Sequence, residues 1–476
     1  MSYNTLGMRR TAAIAAAKVA ATLSRHLRFG GGTALPGLLA ERIDPRIIAG
    51  MTEKLGQGSV LITGTNGKTT TARFLRNILQ AAGLRPVANR AGSNMMRGIA
   101  SALVESADWG GEFASPERRL GVFEVDEATL PEAAWAVRPR AVLFTNLFRD
   151  QLDRYGEVEH VASAWRKAVA AWPEAVTIVL NADDPSVASL GQDAKGRVIY
   201  YGMKDRSAAP SAAAGLEHAA DARWCDGCGA ELSYAAVFYG HLGHWRCPKC
   251  GRSRPQVQVG CAQLASEPGG LTLSITLPGG EVNVQLPLAG LYNAYNALTA
   301  VSAAVALGVE TAAIQKGLSA FTAAFGRQER MKVAGREVQV ILAKNPAGLN
   351  QVLRTVTEDG AASESKRDLA LFLNDGLADG RDISWIWDVD FELLADKARS
   401  VTVSGTRAWD MALRLKYAGL ETISQVETDP ALALRRALKE TPQGGTLYVI
   451  PTYTAMLEVR ELLARWSGRR AFWEEA

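Results

Sequence analysis

The chain has 476 residues, too many for one ordinary hydrophobic core, which predicts two or three domains. Hydrophobic residues make up 47% and charged residues 21%, the balance of a soluble globular protein. Lys and Arg number 53 against 49 Asp and Glu, so the net charge is only +4 and nucleic-acid binding is disfavoured. No stretch approaches the ~20 apolar residues that cross a bilayer.

Residues 1–54 are predicted to form an N-terminal helical arm. Arg9 and Arg10 precede the apolar run Ala12–Ala21, as in a secretion signal. Lys18 interrupts that run, however, and no convincing cleavage site follows. We therefore expect an amphipathic helix that lies on the body of the protein.

Residues 55–328 are predicted to form a central domain with a mostly parallel, doubly wound sheet, because short β-branched runs alternate with Ala-rich stretches. The predicted strands are Val60–Thr63, Leu120–Val125, Ala141–Thr145, Val176–Leu180 and Val198–Tyr201, and the predicted helices include Thr69–Ala82 and Val158–Ala171. The pattern breaks at Lys204–His218 and resumes near Gln256. There follow an alternating strand at Leu271–Leu277, a hairpin turn at Pro278–Gly280 and a helix at Ala294–Ala306.

Residues 329–476 are predicted to form a second, Rossmann-like α/β domain, because the alternation begins again there. Its predicted strands are Val338–Leu342, Leu369–Leu373, Ser400–Val403 and Thr446–Ile450. The polar stretch Glu358–Lys366 is expected to be a surface loop.

A strand, a glycine loop and a helix start occur together at Val60–Thr71 and predict an ATP site. The two glycines let backbone N–H groups face phosphate oxygens, and the helix dipole favours an anion there. The lysine can reach the β- and γ-phosphates, and a threonine hydroxyl can hold Mg²⁺. Ile62 stands where the full Walker pattern has glycine, so the loop is a shortened variant of that pattern. The alternative is an ordinary glycine-containing strand–helix turn with a chance lysine. The candidate nucleotide-binding residues are Gly64, Thr65, Asn66, Gly67, Lys68, Thr69 and Thr70.

Four of the five cysteines fall in two close pairs with eighteen residues between them, Cys225 with Cys228 and Cys247 with Cys250. Two thiolates from each tight turn would supply the four ligands of a zinc ribbon inserted at about residues 220–255. A closed site of four thiolates has no open position, so the zinc is expected to be structural. The alternative is unliganded structural cysteines. His241 and His244 are predicted to lie on the ribbon surface, and Cys261 is expected to be an ordinary buried thiol.

The loop sequence GTNGKTT resembles the signature of the Mur ligase and folylpolyglutamate synthetase superfamily. Further blocks resemble that superfamily in the same order: Phe123–Glu127, Thr145–Gly156, Asn181–Pro185, Gly290–Ala297 and Gly326–Arg327. The resemblance implies that Glu124 binds Mg²⁺. It also implies that Asn293 and Asn296 contact the adenine and that Arg327 touches the nucleotide phosphates. Gln151 replaces a histidine that often contributes to a metal site, which leaves a second Mg²⁺ site open. Taken singly, each block could instead hold helix caps or solvated carboxylates.

Three C-terminal blocks narrow the resemblance: Lys344–Gln351, Leu373–Asp388 and Ser404–Asp410. With the cysteine pairs, they are similar to the MurT family, the synthetase subunits of lipid II isoglutaminyl synthase. The resemblance implies ATP-dependent amidation of the D-glutamate α-carboxylate of a lipid-linked stem peptide through an acyl phosphate. It also implies ammonia from a glutaminase partner of the GatD type in a heterodimer, acting in the cytoplasm at the inner membrane face. The short segment before the phosphate loop is consistent with such a substrate, because ligases of UDP-linked substrates carry a full N-terminal domain.

Lys68 and Asp382 are the favoured catalytic residues, and Asp388 and Asp379 are further candidates for the aspartate role. For Asp382 the alternative is a helix cap or a salt bridge with its neighbour Arg381. Two other functions stay open: a stand-alone Mur or folylpolyglutamate-type ligase that joins an amino acid, and a non-catalytic nucleotide-binding scaffold.

Overall fold

Two large β-sheets with flanking helices and one two-stranded hairpin make up the described part of the chain, as a computed structural model shows. The structure describes residues 3–26, 35–90, 92–150, 158–209, 216–218, 220–267, 270–321, 327–358, 366–420 and 424–468. The first sheet uses residues of the N-terminal two thirds of the chain, and the second sheet begins at Arg327. The α/β fold class predicted from the alternating pattern is confirmed.

The first sheet has nine strands, and a two-stranded hairpin lies beside it. The strands are β1 (Ser59–Thr63), β2 (Arg85–Ala88), β3 (Arg119–Glu124), β4 (Ala141–Phe144), β5 (Thr177–Asn181), β6 (Val198–Met203), β7 (Ser233–Tyr239), β8 (Leu242–Arg246), β9 (Val259–Glu267), β10 (Gly270–Leu277) and β11 (Gly280–Leu286). The sheet order is β11-β10-β9-β6-β5-β4-β1-β3-β2, and β7 pairs with β8. Strands β2 to β6 and β1 are parallel, β9 joins β6 in parallel, and β9, β10 and β11 are antiparallel.

Both faces of this sheet are covered, which explains why its central strands are continuous apolar runs. All five residues of β1 are buried. Val60 and Ile62 pack into one hydrophobic core, and Leu61 between them packs into the other, as the alternation of side chains along a strand requires. The five strands predicted between Val60 and Tyr201 are confirmed to within two residues.

The α-helices of the described residues are numbered here in chain order. They are α1 (Tyr3–His26), α2 (Leu35–Ile43), α3 (Ile47–Thr52), α4 (Lys68–Ala81), α5 (Met96–Ser106), α6 (Leu130–Val137), α7 (Val158–Ala171), α8 (Pro185–Ser189), α9 (Leu291–Ala306), α10 (Thr311–Ser319), α11 (Pro346–Glu358), α12 (Ala408–Tyr417), α13 (Pro430–Glu440) and α14 (Tyr453–Ser467).

Helix α1 lies on the central domain, as the sequence predicts. Ala13, Ile14 and Ala17 are fully buried in the core on that side of the sheet. The Nζ of Lys18 donates to the carbonyl oxygen of Ala107 at 2.6 Å, so the charge that interrupts the apolar run reaches a backbone acceptor. Within the described ranges, no helix combines the length and apolar content that a membrane span needs.

The hairpin of β7 and β8 carries the cysteine pairs at its base, and it corrects one prediction. His241 does not lie on a ribbon surface, because it is fully buried. The turn between the two strands faces the central domain, where the His241 ring packs 4.4 Å from the ring of Phe148. Its Nε2 lies 3.3 Å from Oδ2 of Asp184. His244 is only partly exposed, with Nε2 2.8 Å from the carbonyl oxygen of Met203.

The second sheet has six strands in the order β12-β13-β17-β14-β15-β16. They are β12 (Arg327–Val333), β13 (Arg336–Ile341), β14 (Arg367–Phe372), β15 (Ala398–Ser404), β16 (Ser424–Val426) and β17 (Thr446–Pro451). Only β12 is antiparallel to its neighbour. The four strands predicted in this part of the chain are confirmed, whereas most of the predicted loop at 358–366 lies outside the described residues.

Candidate active site

The phosphate loop lies between the end of β1 and the start of α4, as the motif predicts. Gly64 and Gly67 have φ of 125° and 91°, a backbone conformation that side chains disfavour. Both also face other groups closely, since a Cβ at Gly67 would overlap the side-chain oxygen of Asn296 and one at Gly64 would overlap Thr145. The first N–H groups of α4 have no acceptor within the helix, so this end of the helix is suited to bind phosphate.

The loop lysine is buried and already has anionic and carbonyl partners. Lys68 Nζ contacts the carbonyl oxygen of Gly64 and lies 3.1 Å from Oε2 of Glu127. Burial raises the pKa of Glu127, and the nearby ammonium groups of Lys68 and Lys344 oppose that shift. Glu127 ends the sequence block that resembles the Mur ligases, yet its contact with the lysine was not predicted.

A hydroxyl and a carboxylate meet beside the loop, where Mg²⁺ is predicted. Thr69 Oγ1 donates to Glu124 Oε2 at 2.7 Å. Asn89 holds the backbone of Glu124 on both sides, because its Nδ2 donates to the Glu124 carbonyl at 3.0 Å and its Oδ1 accepts from the Glu124 N–H at 2.9 Å. Hydroxyl and carboxylate oxygens are the ligands that Mg²⁺ prefers, so these residues fit the ion.

The strand end after β4 supports the loop through side chains. Asn146 Oδ1 accepts from the N–H of Asn66 at 2.9 Å, and Asn146 Nδ2 donates to the carbonyl oxygen of Asn66 at 3.1 Å. Thr65 Oγ1 donates to the carbonyl of Phe148 and accepts from its N–H. The second half of this sequence block, including Gln151, lies outside the described residues.

The block at Asn181–Pro185 has a structural role in the described contacts. Asp184 caps α8, with its Oδ1 accepting from the N–H groups of Ser186 and Val187. Asp183 is fully buried and contacts Arg254 and the hydroxyl of Tyr295. Burial raises the pKa of Asp183, while Arg254 opposes that shift.

A cleft opens between the phosphate loop, α9 and the second α/β domain. Its lining includes Asn66, Gly67, Thr70, Asn146, Tyr292, Asn293, Asn296, Gln328, Gly348 and Gln351. Both predicted adenine-contacting asparagines therefore face the same cleft as the loop. Arg327 begins β12, but its side chain lies outside the described part of the structure.

The second domain closes this cleft through direct contacts with the loop. Asn345, just before α11, donates from Nδ2 to Asn66 Oδ1 at 2.9 Å and accepts from Asn66 Nδ2 at 3.3 Å. Lys344 contacts Asp150, and its charge also opposes the rise that burial causes in the pKa of Glu127. The block Lys344–Gln351 was identified by its family resemblance alone, and the sequence predicted neither of these contacts.

The four paired cysteines come together as predicted. Their sulfur atoms all lie within 4.8 Å of one another. Cys225 Sγ is 3.6 Å from Cys250 Sγ, and Cys228 Sγ is 3.5 Å from Cys247 Sγ. A tetrahedral zinc with Zn–S bonds of about 2.3 Å requires S···S separations of roughly 3.8 Å, so the cluster fits the ion.

Both cysteine turns have the same local geometry, which explains the fit. Gly229 and Gly251 follow the two pairs with φ of 69° and 78°, and each donates its N–H to the carbonyl of the first cysteine of its pair. The backbone N–H of Cys250 helps to lower the pKa of Cys247 to about 6. A thiolate is the form that binds a metal.

The three candidate aspartates of the second domain have different surroundings. Asp382 is exposed, and its Oδ1 accepts from the N–H of Ser384 at 2.8 Å, which lowers the pKa of the carboxyl. This contact is a local turn and not the helix cap that the sequence allowed as an alternative, because the residue before the short helix Ser384–Asp388 is Ile383. Asp388 pairs with Arg149 at 2.8 Å. Asp379 is buried and accepts from the N–H of Thr454 at the start of α14.

Comparisons with known proteins agree with this architecture. The Mur ligase middle domain family matches residues 62–223, and the MurT ligase C-terminal family matches residues 342–456. Fold and site together define a ligase of the Mur type.

Two relatives named lipid II isoglutaminyl synthase (glutamine-hydrolyzing) subunit MurT match almost throughout. The protein of Staphylococcus aureus is 34% identical over 461 residues, covering 96% of this chain and 98% of its own length. The protein of Streptococcus pneumoniae is 32% identical over 440 residues, covering 92% and 93%. The chain belongs to the MurT family.

Solved structures share the fold at low sequence identity. Pseudomurein peptide ligase type C from Methanothermus fervidus has a TM-score of 0.63 at 23% identity and covers 87% of this chain and 80% of its own. MurF from Acinetobacter baumannii has a TM-score of 0.64 at 18% identity, covering 92% and 81%. Folylpolyglutamate synthase from Mycobacterium tuberculosis, complexed with ADP and AMPPCP, has a TM-score of 0.59 at 17% sequence identity. The match covers 90% of this chain and 96% of the synthase chain.

Proposed function

We propose that this protein amidates the α-carboxylate of D-glutamate in the stem peptide of lipid II, forming D-isoglutamine with ATP and ammonia. The observation that carries the proposal is the similarity to two lipid II isoglutaminyl synthase subunits, which spans both domains that border the cleft. We place the activity in the cytoplasm, at the inner face of the membrane, where a lipid-linked precursor presents its peptide.

The first step is activation of the carboxylate. One carboxylate oxygen attacks the γ-phosphorus of ATP, the bond from that phosphorus to the bridging oxygen breaks, and ADP leaves with the electron pair. Lys68 and the first N–H groups of α4 stabilise the phosphate charge, which requires Lys68 to exchange its contact with Glu127 for the nucleotide. Mg²⁺ held by Thr69 and Glu124 would neutralise further charge on the phosphate oxygens.

The second step is amide formation from the acyl phosphate. The lone pair of ammonia attacks the acyl carbon, the carbon–oxygen bond to phosphate breaks, and the nitrogen gives up one proton. We assign Asp382 to orient the ammonia and accept that proton. Asp388 pairs with Arg149, and Asp379 binds the start of a helix, so both have structural contacts. The described contact of Asp382 is with the N–H of its near neighbour Ser384, and its side chain is exposed, which supports Asp382 over the other two candidates.

The ammonia is proposed to come from a separate glutaminase subunit of the GatD type in a heterodimer. Glutamine hydrolysis needs a cysteine nucleophile of lowered pKa, usually beside a histidine. With four cysteines at the zinc cluster, Cys261 remains, and it is fully buried with a pKa raised to about 12 by that burial. This is the opposite of an activated thiol.

An amide-formation assay on the purified chain tests the proposal. With ATP and the lipid-linked substrate, the protein is expected to form isoglutamine from concentrated ammonium but not from glutamine, and a glutaminase partner is expected to restore glutamine use. Turnover with a free amino acid and no partner would indicate an amino-acid ligase instead. Nucleotide binding without any amide product would indicate a non-catalytic scaffold. Glutaminase activity of the isolated chain that is lost in Cys261→Ala would contradict the partner proposal.

A further inference from the structure

Arg149 contacts two parts of the molecule that are far apart in sequence. Both oxygens of Asp221 accept from it, one from the backbone N–H at 2.9 Å and one from Nε at 2.6 Å. Its Nη1 donates to Asp388 Oδ2 at 2.8 Å. The pKa of the Arg149 guanidinium is raised by Asp221 and Asp388 even though burial opposes that shift. One arginine thus joins the central domain to the aspartate-rich segment of the second domain.

Phe148, the residue before Arg149, is held firmly by the central domain. Phe148 exchanges hydrogen bonds with Thr65 of the phosphate loop, and its ring packs against those of Tyr239 and His241 at 5.9 and 4.4 Å. The backbone of Arg149 therefore has a fixed position relative to the phosphate loop, and its side chain is only 27% exposed.

Asp221 belongs to the segment that enters the cysteine cluster, and the cluster's hairpin holds it. We call this segment the ribbon arm, residues 216–218 and 220–224. The N–H of Asp221 donates to Nδ1 of His241 at 3.2 Å. The hydroxyl of Tyr234 in β7 donates to the carbonyl of Ala222 at 2.8 Å. The carboxylate that fixes Arg149 is therefore itself positioned by the ribbon.

The ribbon arm also contacts the second domain directly. Glu217 pairs with Arg354 on α11 at 3.1 Å, and His218 Nδ1 lies 2.8 Å from Asp390 Oδ1. Asn350 on α11 donates to the other oxygen of Asp390 at 2.9 Å. The pairs of Glu217 and His218 thus join the ribbon arm to the second domain independently of Arg149.

We propose that Arg149 is a positioning residue for amide formation: held by Asp221 of the ribbon arm, it fixes Asp388 and hence the segment that carries Asp382. This rests on the proposed function. The planar guanidinium of Arg149 donates to Asp221 and Asp388 in fixed directions, so it sets the relative orientation of the two carboxylates as well as attracting them. The ammonium group of a lysine has no such fixed donor geometry. The ribbon thereby contributes to placing the acyl-transfer residues and does not only stabilise its own fold.

The test compares three arginine variants of the full chain, supplied with saturating ammonium. Arg149→Ala is expected to lower kcat for isoglutamine formation by between about 10-fold and 100-fold, since a misplacement of the order of 1 Å has that cost. Its ATP affinity and zinc content are expected to stay within about twofold of wild type. Arg149→Lys is expected to be intermediate. Arg399→Ala is the matched control, because Arg399 is partly exposed and paired with Asp368 inside the second domain, and it is expected to keep wild-type kcat.

A double-mutant cycle separates positioning from chemistry at Asp388. If Asp388 acts only through Arg149, Arg149→Ala/Asp388→Asn is as slow as Arg149→Ala. A double variant slowed by the product of both single effects would overturn the proposal, as would wild-type kcat in Arg149→Ala.

Hydrogen–deuterium exchange with ATP alone tests the arrangement without turnover. Faster exchange at residues 382–390 in Arg149→Ala is expected, and unchanged exchange would overturn the proposal. If the wild-type protein makes no isoglutamine, the proposed function fails, and the exchange result still decides whether Arg149 holds this segment.

Discussion

Gly67→Ala is expected to weaken ATP binding by between about 10-fold and 400-fold. Gly67 has φ of 91°, and holding alanine there costs roughly 1–2 kcal/mol. The new Cβ would lie 2.0 Å from Oδ1 of Asn296, so that buried side chain would have to retreat by roughly 1.5 Å to reach ordinary contact. The move would break its hydrogen bond to Asn293, which costs about 0.5–1.5 kcal/mol. The two costs sum to about 1.5–3.5 kcal/mol. If the loop can relax when it is empty but not when ATP occupies it, the bound state alone bears this cost, which corresponds to the stated loss of ATP affinity.

Titration calorimetry with ATP measures the effect, and Gly83→Ala is the matched control. Gly83, just beyond the end of α4, has φ of 80°, and a Cβ there would meet no atom within 4 Å. Alanine at position 83 has the same conformational cost of a positive φ but lies away from the phosphate loop, so the ATP affinity of this variant is expected to be unchanged. If Gly67→Ala binds ATP as tightly as Gly83→Ala, the loop geometry does not govern nucleotide binding and the reasoning is refuted.

Three other variants test the remaining assignments. Cys225→Ser is expected to lose zinc and destabilise the ribbon, because metal binding contributes about 10–16 kcal/mol to folding in zinc-finger peptides; reduced wild-type protein that contains no zinc on metal analysis would exclude the site. Lys68→Ala is expected to abolish ATP-dependent amidation by removing a buried cation from the phosphate loop, and near wild-type turnover would place the nucleotide elsewhere. Asp382→Asn is expected to bind ATP but form no amide; full activity would transfer the role to Asp388.

Features that depend on a few neighbouring residues were predictable from the sequence. The phosphate loop is one continuous strand, turn and helix start, so its glycine and lysine positions identify it. Each cysteine pair lies in its own tight turn. The spacing within a pair therefore indicates two metal ligands without any knowledge of how the two turns pack together. The apolar runs of the parallel strands are long enough to stand out. Strand β16, with three residues, carries too little pattern to be predicted.

Contacts between distant residues were decided only by the tertiary structure. The partner of Lys68 is 59 positions away at Glu127, Asn66 meets Asn345 across 279 positions, and Arg149 meets Asp388 across 239. His241 was misplaced for the same reason: a polar residue in a hairpin turn is exposed unless another surface covers it, and here Phe148 does. Sequence pattern reports local geometry and the average burial of a face. Which side chains meet across a cleft depends on how two independently formed sheets pack, because that packing is set by the summed surfaces of both domains and by no single segment.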